Sequence, residues 1–394
     1  MISVDEALAV LARHRLDLPA EWVGLDRALN RELAEDVSAR VTLPPHASSA
    51  MDGYAVRFAD LAGQGTRLQV IGEAPAGTPF PGSVGPGEAV RIFTGSVVPQ
   101  GADHIVIQED VTREGDQILL DQTQASRAHI RTAGGEFSVG DVLLRAGMRL
   151  GPAQIAVAAA ADHAAVPVRR RTRVAILANG DELRAPGSDP GGGEIIASNY
   201  YGLAALLRKW GAEPIDLGIA RDTPEDIAEH IERASDADII VPIGGASVGD
   251  HDHMFAAFTD AGFAPIFRKI AVKPGKPTWF AAKGSQLVLG LPGNPASAFV
   301  CAQLFLRALL SGAERLAEQP AVLTDGLRAN GPRENFLRAR LSVGIDGTRQ
   351  VSALDRQDSS LISPFLDADC LIRRLPASAS AQAGEVIRTV WLER

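Results

Sequence analysis

Strands and helices alternate strictly between residues 171 and 312, and this pattern constrains the fold more than any other feature of the chain. The predicted strands are short runs rich in Val and Ile, which is typical of buried strands. They lie at residues 173–178, 214–217, 238–243 and 287–291. The helices between them are predicted at residues 199–210, 223–234 and 295–310. Such alternation predicts a doubly wound α/β domain with a parallel sheet.

The residue pattern differs on both sides of this region. Short Val, Ile and Thr runs alternate with Gly and Pro turns in residues 45–134, which predicts an inserted β-rich domain. Helices are expected at 4–12, where Ser3 and Glu6 form a capping box, at 25–33, and from 152 to about 163. We therefore predict a multidomain α/β protein of four domains. These are an N-terminal helical domain (1–44 with 135–170), the inserted domain (45–134), the α/β domain (171–317) and a C-terminal β-barrel-like domain (318–394).

Charge and cysteine usage exclude several classes of partner. The net charge of −9 disfavours nucleic acid and anionic membranes, because both require a basic surface. Cys301 and Cys370 are isolated in a chain of 394 residues, which indicates a reducing compartment without disulfides. No signal peptide and no apolar run long enough to cross a bilayer is visible. We expect a cytoplasmic protein.

Three loops follow predicted strands, so they should meet at one edge of the sheet. The first is Asn-Gly-Asp-Glu-Leu at 179–183, and the second is Gly-Gly-Ala-Ser-Val-Gly-Asp-His-Asp at 244–252. The third, Leu-Pro-Gly-Asn-Pro-Ala-Ser at 291–297, leads into a helix whose free N–H groups favour an anion. Lys273 and Lys276 lie between the second and third loops, in a segment stiffened by Pro and Gly.

These segments bring acidic and basic side chains together. The acids are Asp181, Glu182, Asp250 and Asp252. They would repel one another unless a cation lay among them, and Mg²⁺ commonly bridges carboxylates to substrate phosphates. The two lysines supply charge for the anionic part, so the pattern favours phosphoryl or phosphoanhydride chemistry. No zinc spacing, P-loop, dinucleotide fingerprint or nucleophile elbow is present.

Six motifs in a fixed order carry a resemblance to a known family. They are Pro-Pro…Ser-Ala-Met-Asp-Gly-Tyr-Ala at 44–55, Arg-Ile-Phe-Thr-Gly-Ser…Pro-Gln-Gly-Ala-Asp at 91–103, Asn-Gly-Asp-Glu-Leu at 179–183, Gly-Gly-Ala-Ser-Val-Gly at 244–249, Lys-Pro-Gly-Lys-Pro at 273–277 and Leu-Pro-Gly-Asn-Pro-Ala-Ser at 291–297. The chain resembles, over essentially its whole length, the molybdopterin molybdenumtransferases of the MoeA family, which are related to the gephyrin E domain.

The resemblance implies an activity and an assembly. The α/β domain should be a MogA-like molybdopterin-binding domain. The enzyme should insert molybdenum from molybdate into adenylylated molybdopterin and release AMP with Mg²⁺ present. It implies a homodimer in which the partner's inserted domain, carrying Asp52 and Thr94, completes the cleft. A MogA-type adenylyltransferase and acceptor molybdoenzymes are further expected partners.

The resemblance also assigns roles to individual residues. The implied catalytic residues are Asp52, Thr94, Glu182, Asp252, Lys273 and Lys276. The implied metal ligands are Asp181, Glu182 and Asp252. The implied cofactor-binding residues are Gly180, Asp181, Gly244, Gly245, Ser247, Gly249, Asp250, Pro292, Gly293, Asn294, Ser297, Arg333, Arg338, Ser359 and Ser360.

Five positions depart from the family pattern. Asn179 stands where Thr is usual, Ser48 where Asn is usual, and Glu136 where Asp is usual. His251 and His253 stand where aromatic residues are common. The sequence leaves open which arginine and serine meet molybdate, and whether tungsten is also used. Two alternative functions are a MogA-like molybdopterin adenylyltransferase and a non-catalytic scaffold like a gephyrin E domain.

Overall fold

The computed structural model describes residues 1–124, 129–245 and 253–392. The chain divides into two compact units. We call Ala20–Arg169 the β unit, and Met1–Pro19 with Arg170–Arg394 the α/β unit. Within the described ranges, no helix combines the length and apolar character needed to cross a membrane.

The chain begins with helix α1 (Val4–Arg13), as the sequence predicts. The Ser3 hydroxyl accepts a hydrogen bond from the Glu6 N–H at 3.2 Å, and the Glu6 carboxylate accepts one from the Ser3 N–H at 2.7 Å. This capping box satisfies donors that a helix start leaves free. Val4, Leu8 and Leu11 form one buried stripe, so α1 packs into the core of the α/β unit.

The β unit is built almost entirely from strands. They are β1 (Ala20–Gly24), β2 (Val37–Ser38), β3 (Ser48–Ser49), β4 (Gly53–Val56), β5 (Arg67–Ala74), β6 (Glu88–Ile92), β7 (His104–Ile107), β8 (Val111–Glu114), β9 (Gln117–Leu120), β10 (Ile130–Arg131), β11 (Val142–Leu144) and β12 (Ala165–Arg169). A mixed six-stranded sheet has the order β7-β4-β6-β5-β9-β8, and only its β5–β6 pair is parallel. The pairs β1–β12, β2–β11 and β3–β10 form small two-stranded sheets beside it.

The prediction of an N-terminal helical domain is wrong, because residues 20–44 and 135–170 are mostly β. Helix α2 (Pro152–Ala160) is the α-helix of this part, and the helix expected at 25–33 is reduced to a 3₁₀ turn at Leu25–Arg27. The N–H groups of Asn30 and Leu33 donate instead to the carbonyls of Leu150 and Met148. Hydrogen bonds to a distant segment have replaced the local helical ones, which outweighs a weak helix propensity.

The α/β unit contains a six-stranded sheet whose strands were mostly predicted. The strands of this unit before the barrel are β13 (Arg173–Asn179), β14 (Leu183–Arg184), β15 (Ile195–Ile196), β16 (Glu213–Ala220), β17 (Ile239–Ile243), β18 (Ala264–Phe267), β19 (Val272–Lys273), β20 (Trp279–Lys283) and β21 (Gln286–Gly290). Of these, β14, β15 and β19 lie outside the six-stranded sheet. The sheet order is β16-β13-β17-β21-β20-β18. The first four strands are parallel, whereas β20 runs in the opposite direction and pairs antiparallel with both β21 and β18. The sheet is therefore mixed, not wholly parallel as predicted.

Helices cover both faces of this sheet, as a doubly wound fold requires. They are α3 (Asn199–Lys209), α4 (Pro224–Arg233), α5 (His253–Asp260), α6 (Pro295–Cys301) and α7 (Arg307–Ser311), with a π-helical turn at Ala302–Leu306 joining the last two. Val174 and Ile176 of β13 pack in one core with α1, α3, α6 and α7, whereas Ala175 and Leu177 pack in another with α4 and α5. Successive strand residues thus face opposite layers.

The last five strands close into a β-barrel, as predicted. They are β22 (Glu318–Leu323), β23 (Glu334–Val343), β24 (Arg349–Ala353), β25 (Cys370–Arg374) and β26 (Val386–Trp391). The order β23-β24-β22-β26-β25 closes through a β23–β25 pair, which removes the free edges of the sheet. β19 pairs in parallel with β23, placing Lys273 opposite Asn335.

Candidate active site

A cavity of about 1030 Å³ lies at the carboxyl edge of the α/β sheet. β13 stands between β16 and β17 there, and such strand ends are where open α/β sheets bind ligands. The structure brings the three predicted loops together around it. The described lining residues from these loops are Asn179, Gly180, Glu182, Leu183, Gly244, Gly245, Pro292, Gly293, Asn294 and Pro295.

Glycine lets the second and third loops approach each other closely. Gly244 has a φ of 96°, and a Cβ atom there would lie 2.7 Å from the carbonyl oxygen of Asn179. A Cβ on Gly293 would lie 3.3 Å from the Cα of Gly244. The Gly244 N–H donates to the carbonyl of Leu291 at 3.2 Å. Side chains at these positions would push the loops apart, so the glycines define the cavity floor.

Two asparagines join these loops to neighbouring elements. The Asn199 amide, in the first turn of α3, donates to the Gly293 carbonyl at 2.8 Å. The Asn294 amide donates to the Ser359 hydroxyl at 3.2 Å, and the Ala296 N–H donates to the Ser359 carbonyl at 3.0 Å. A loop of the barrel is therefore anchored at the start of α6, on which the predicted residue Ser297 is buried.

The carboxylates of the first loop occupy different positions. Asp181 is exposed, and its Oδ1 accepts a hydrogen bond from the Asp222 N–H at 3.2 Å. Glu182 is exposed and lines the cavity. Asp222 lines it too, and the sequence reasoning missed this residue. It could have been found from its position two residues after β16, because the carboxyl end of that strand lies at the same sheet edge.

Several predicted site residues lie outside the described part of the chain. They are Ser247, Gly249, Asp250 and Asp252. Within the described ranges, no three His, Cys, Asp or Glu side chains gather closely enough to hold a metal by themselves. Mg²⁺ takes only one or two protein carboxylates and fills its other positions with water and substrate phosphates. The exposed carboxylate of Glu182 at the cavity is chemically suited to that role.

The predicted lysines lie beside the cavity and do not line it. Lys273 is exposed on β19, Lys276 is half-buried, and the next residue, Pro277, is a lining residue. Neither lysine side chain has a hydrogen-bond or ion-pair partner among the described residues. The Arg333 guanidinium donates to the Val272 carbonyl at 3.4 Å. Pairing of β19 with β23 thus gathers three cationic side chains in one region.

Arg338 shapes the loop that carries Ser359 and Ser360. Its guanidinium is buried and donates to the carbonyls of Leu361, at 2.7 Å, and Asp358, at 2.9 Å. Burial lowers the pKa of Arg338, although an arginine keeps its charge. The Ser360 hydroxyl and N–H donate to Asp358, which holds the pKa of that carboxyl below its usual value. Ser360 lines the cavity.

Asp52 and Thr94 form a hydrogen-bonded pair in the β unit. The Asp52 Oδ1 accepts from the Thr94 N–H at 2.7 Å and from its hydroxyl at 2.8 Å. These bonds, with a smaller contribution from Arg91, hold the pKa of Asp52 below its ordinary value. The pair therefore presents an ionised carboxylate at neutral pH.

The β unit has its own cavity, of about 720 Å³. Ser48 and Glu136, two of the positions that depart from the family pattern, both line it together with Gly95. The longer acid at 136 is exposed, so it reaches this space without a burial penalty.

Neither cysteine has the environment of a nucleophile. Cys301 and Cys370 are buried and reduced, and burial raises the pKa of each thiol to about 12. Reactive thiols need a lowered pKa and access to solvent.

A ligand cavity at the end of a doubly wound sheet, a closed barrel and a β-rich unit define a multidomain ligand-binding α/β protein. Three family descriptions match successive parts of this chain. They are the MoeA N-terminal region (domain I and II) at residues 2–161, the probable molybdopterin binding domain at 175–312 and the MoeA C-terminal region (domain IV) at 320–391. The chain belongs to the MoeA family.

Relatives match over nearly the full length. A molybdopterin molybdenumtransferase of Haemophilus influenzae is 34% identical and covers 98% of each chain. A molybdopterin molybdenumtransferase of a Nostoc species is 37% identical, with 83% of this chain and 78% of that one covered. The crystal structure of a molybdopterin biosynthesis MoeA protein from Pyrococcus horikoshii superposes with a TM-score of 0.83 at 28% identity, covering 100% of both chains.

Proposed function

We propose that this chain is a molybdopterin molybdenumtransferase that acts in molybdenum cofactor biosynthesis. It takes adenylylated molybdopterin and molybdate, inserts molybdenum and releases AMP. The observation that carries the proposal is the cavity at the end of β13, β17 and β21, set within a chain that matches MoeA proteins along its whole length. Relatives at 34% and 37% identity carry the same activity in their names.

The proposed chemistry assigns separate tasks to the two kinds of charge. When bound, Mg²⁺ would neutralise the phosphates and help AMP to leave, and Glu182 is the described carboxylate at the cavity that would hold it. Lys273, Lys276 and Arg333 would attract the molybdate oxyanion. Ser359 and Ser360 would donate hydrogen bonds to its oxygens. Such catalysis acts through positioning and electrostatics.

The assembly and location are further parts of the proposal. A homodimer would let Asp52 and Thr94 of one subunit act with the cavity of the other. The role of Asp52 and Thr94 is supported by the hydrogen bonds from Thr94, which hold the Asp52 carboxylate in place and ionised. A cytoplasmic location, a MogA-type partner and molybdoenzyme acceptors are expected from the family resemblance.

The test is a discontinuous assay of AMP release by the purified full-length protein. Adenylylated molybdopterin, Mg²⁺ and molybdate are supplied, and each is omitted in turn. We expect AMP release that requires molybdate and stops when EDTA removes Mg²⁺. Release that does not depend on molybdate would contradict the proposal. Consumption of ATP with free molybdopterin would support an adenylyltransferase instead.

Variants separate catalysis from scaffolding. Lys276→Ala and Asp52→Asn should each lower molybdate-dependent AMP release by about 10²-fold or more, because each removes a charge from the proposed reaction centre. Glu229→Gln changes an exposed acid on α4 and serves as the control. Full rescue of cofactor synthesis in cells by Asp52→Asn would favour a scaffold over an enzyme.

A further inference from the structure

A buried hydroxyl and a buried thiol lie beneath the segment that carries the two predicted lysines. We call residues 273–277 the lysine loop. Thr278 follows this loop and Cys301 ends α6, and both residues are 0% exposed. Lys273 is exposed and Lys276 is half-buried, and neither side chain has a partner among the described residues. The position of the lysines therefore depends on the backbone that carries them.

The Thr278 residue closes the turn of the lysine loop. Its hydroxyl donates a hydrogen bond to the Gly275 carbonyl at 2.8 Å, and its N–H donates to the same oxygen at 3.1 Å. On the preceding side, the N–H of the buried Ile270 donates to the Lys276 carbonyl at 3.1 Å. The backbone of the loop is thus bonded to buried residues at two points, which limits the directions in which its side chains point.

Cys301 fills the space under this turn. The Thr278 hydroxyl contacts the Cys301 Sγ at 3.2 Å, and Sγ lies 3.9 Å from the Gly275 carbonyl oxygen. A Cβ atom on Gly275 would lie 2.1 Å from Sγ, so the backbone of the turn rests directly on the sulfur. Burial raises the pKa of the Cys301 thiol to about 12, which keeps it uncharged at neutral pH. Two uncharged polar groups that satisfy each other are tolerated in a dry interior.

The same contact joins the lysine loop to α6. Cys301 lies four residues after Ser297 on this helix, so the two side chains share one face. Ser297 is itself buried, and the Asn294 amide at the start of the helix donates to the Ser359 hydroxyl at 3.2 Å. Thr278 and Cys301 therefore hold the lysine loop against the helix whose start anchors the serine loop of the barrel.

We infer that Thr278 and Cys301 are positioning residues for molybdate binding, which act by holding the lysine loop against α6. This inference rests on the proposed function, which places the molybdate oxyanion beside Lys273 and Lys276. Without the buried pair, the turn at Gly275 would be held less firmly and the two lysines would sample more positions. Groups that are fixed before a ligand arrives bind it more tightly, because less freedom is lost on binding.

The test measures molybdate binding to the full-length protein by isothermal titration calorimetry. Thr278→Val removes the hydroxyl at nearly constant size, and Cys301→Ala removes the sulfur. Each should raise the Kd for molybdate about tenfold, whereas the KM for adenylylated molybdopterin should change less than about twofold. Thr278→Ser and Cys301→Ser keep a hydrogen-bonding group and should bind molybdate nearly as the wild type does.

Matched controls lie in the barrel. Thr389 is buried and its hydroxyl donates to the Gln319 carbonyl at 2.9 Å, and Cys370 is a buried free thiol. Thr389→Val and Cys370→Ala make the same chemical changes away from the lysine loop, so they should leave the Kd for molybdate unchanged. Urea unfolding of each variant checks that it is folded.

A double variant separates positioning from a general loss of structure. Lys276→Ala removes a group through which Thr278 is inferred to act. Adding Thr278→Val to it should therefore raise the Kd by less than about twofold more, because residues that act through each other are not additive. The same tenfold effect in both backgrounds would contradict the inference.

Three further results would overturn the inference: an unchanged Kd in Thr278→Val and Cys301→Ala, equal weakening in the barrel controls, or absence of molybdate binding by the wild type. The proposed function is measured separately, as molybdate-dependent AMP release. Molybdate binding that depends on Thr278 without AMP release would keep the positioning role and remove the activity. AMP release with an unchanged KM for molybdate in the variants would do the reverse.

Discussion

Gly245 illustrates how one residue without a side chain controls the cavity. It has a φ of 66°, and a Cβ atom there would lie 2.7 Å from the Asn179 Oδ1 and 2.9 Å from the Met254 Cβ. Two separate costs therefore oppose any larger residue: a strained backbone and a close contact with buried neighbours.

Gly245→Ala should destabilise the protein more than Gly218→Ala. Gly218 also has a positive φ, of 85°, but a Cβ atom there would meet nothing within 4 Å. The backbone strain is common to both variants, so their difference measures the close contact, which we expect to be about 1–3 kcal/mol. Urea unfolding followed by circular dichroism gives the free energy of unfolding of both variants. Equal destabilisation would mean that the loop at Gly245 accommodates a Cβ atom without an energetic penalty.

Arg338 and Arg333 show why the sequence could not choose between two arginines. Both precede or lie on β23, and both were plausible oxyanion ligands. The structure places Arg338 under the loop of Ser359 and Ser360 and Arg333 beside β19. Spacing along a strand predicts the face of a residue, but its partners depend on segments far away in the chain.

At the scale of elements, the start of α1 depends on a local interaction. Hydrogen bonds from the N–H and hydroxyl of Ser3 lower the pKa of Glu6, so they favour its ionised form in the folded protein. The capping box joins residues three apart, which is why it could be read directly from the sequence.

Ser3→Ala should reduce the free energy of unfolding by about 0.5–2 kcal/mol at neutral pH, because it removes the side-chain cap. A lowered folded pKa stabilises above the unfolded pKa and is lost as pH falls through the folded one. The difference between wild type and variant should therefore shrink below about pH 4. Thermal unfolding at several pH values measures the stability difference between wild type and variant. Ser235→Ala, at an exposed serine, is the control. A pH-independent difference would contradict this account.

At the scale of the whole molecule, Arg373 links the N-terminal helix to the barrel within the α/β unit. Its guanidinium pairs with Asp5 of α1 at 2.7 Å, with Glu318 of β22 at 2.6 Å and with Glu334 of β23. Glu334 is 4% exposed, and burial raises its pKa while Arg373 acts against that rise. The guanidinium thus compensates carboxylates from three elements.

Arg373→Met should cost about 3–5 kcal/mol, because it leaves a buried carboxylate without a partner. Arg340→Met is the matched control, since Arg340 pairs with Asp367 and both side chains are more than half exposed. That control should change stability by less than about 1 kcal/mol.

The pH dependence of the Arg373→Met penalty has a definite sign. A carboxyl whose folded pKa lies above its unfolded value gains stability from protonation, so the penalty should decrease as pH falls. Chemical unfolding between pH 7 and 5 measures this change. The double variant Arg373→Met with Glu334→Gln should recover part of the free energy of unfolding that Arg373→Met loses. No recovery would mean that the unpaired Glu334 carboxylate does not cause the destabilisation.

Local sequence determined the elements that a short window can specify. The capping box of α1, the apolar runs of β13, β17 and β21, and the helices between them follow from periodicity and end signals. The meeting of three loops at one edge followed as well, because parallel strands end on the same side. Three of the six family motifs, those at 179–183, 244–249 and 291–297, lie on those loops.

Only the tertiary structure decided which distant segments pair. It turned residues 25–33 away from a helix, since Asn30 and Leu33 bond to the segment at 148–150. It paired β20 antiparallel with both β21 and β18, placed Lys273 of β19 opposite Asn335 of the barrel strand β23, and bonded the Asn179 amide to the carbonyl of Arg221, next to Asp222. Pairing, register and shared hydrogen bonds join residues that are remote in sequence, so no local pattern carries them.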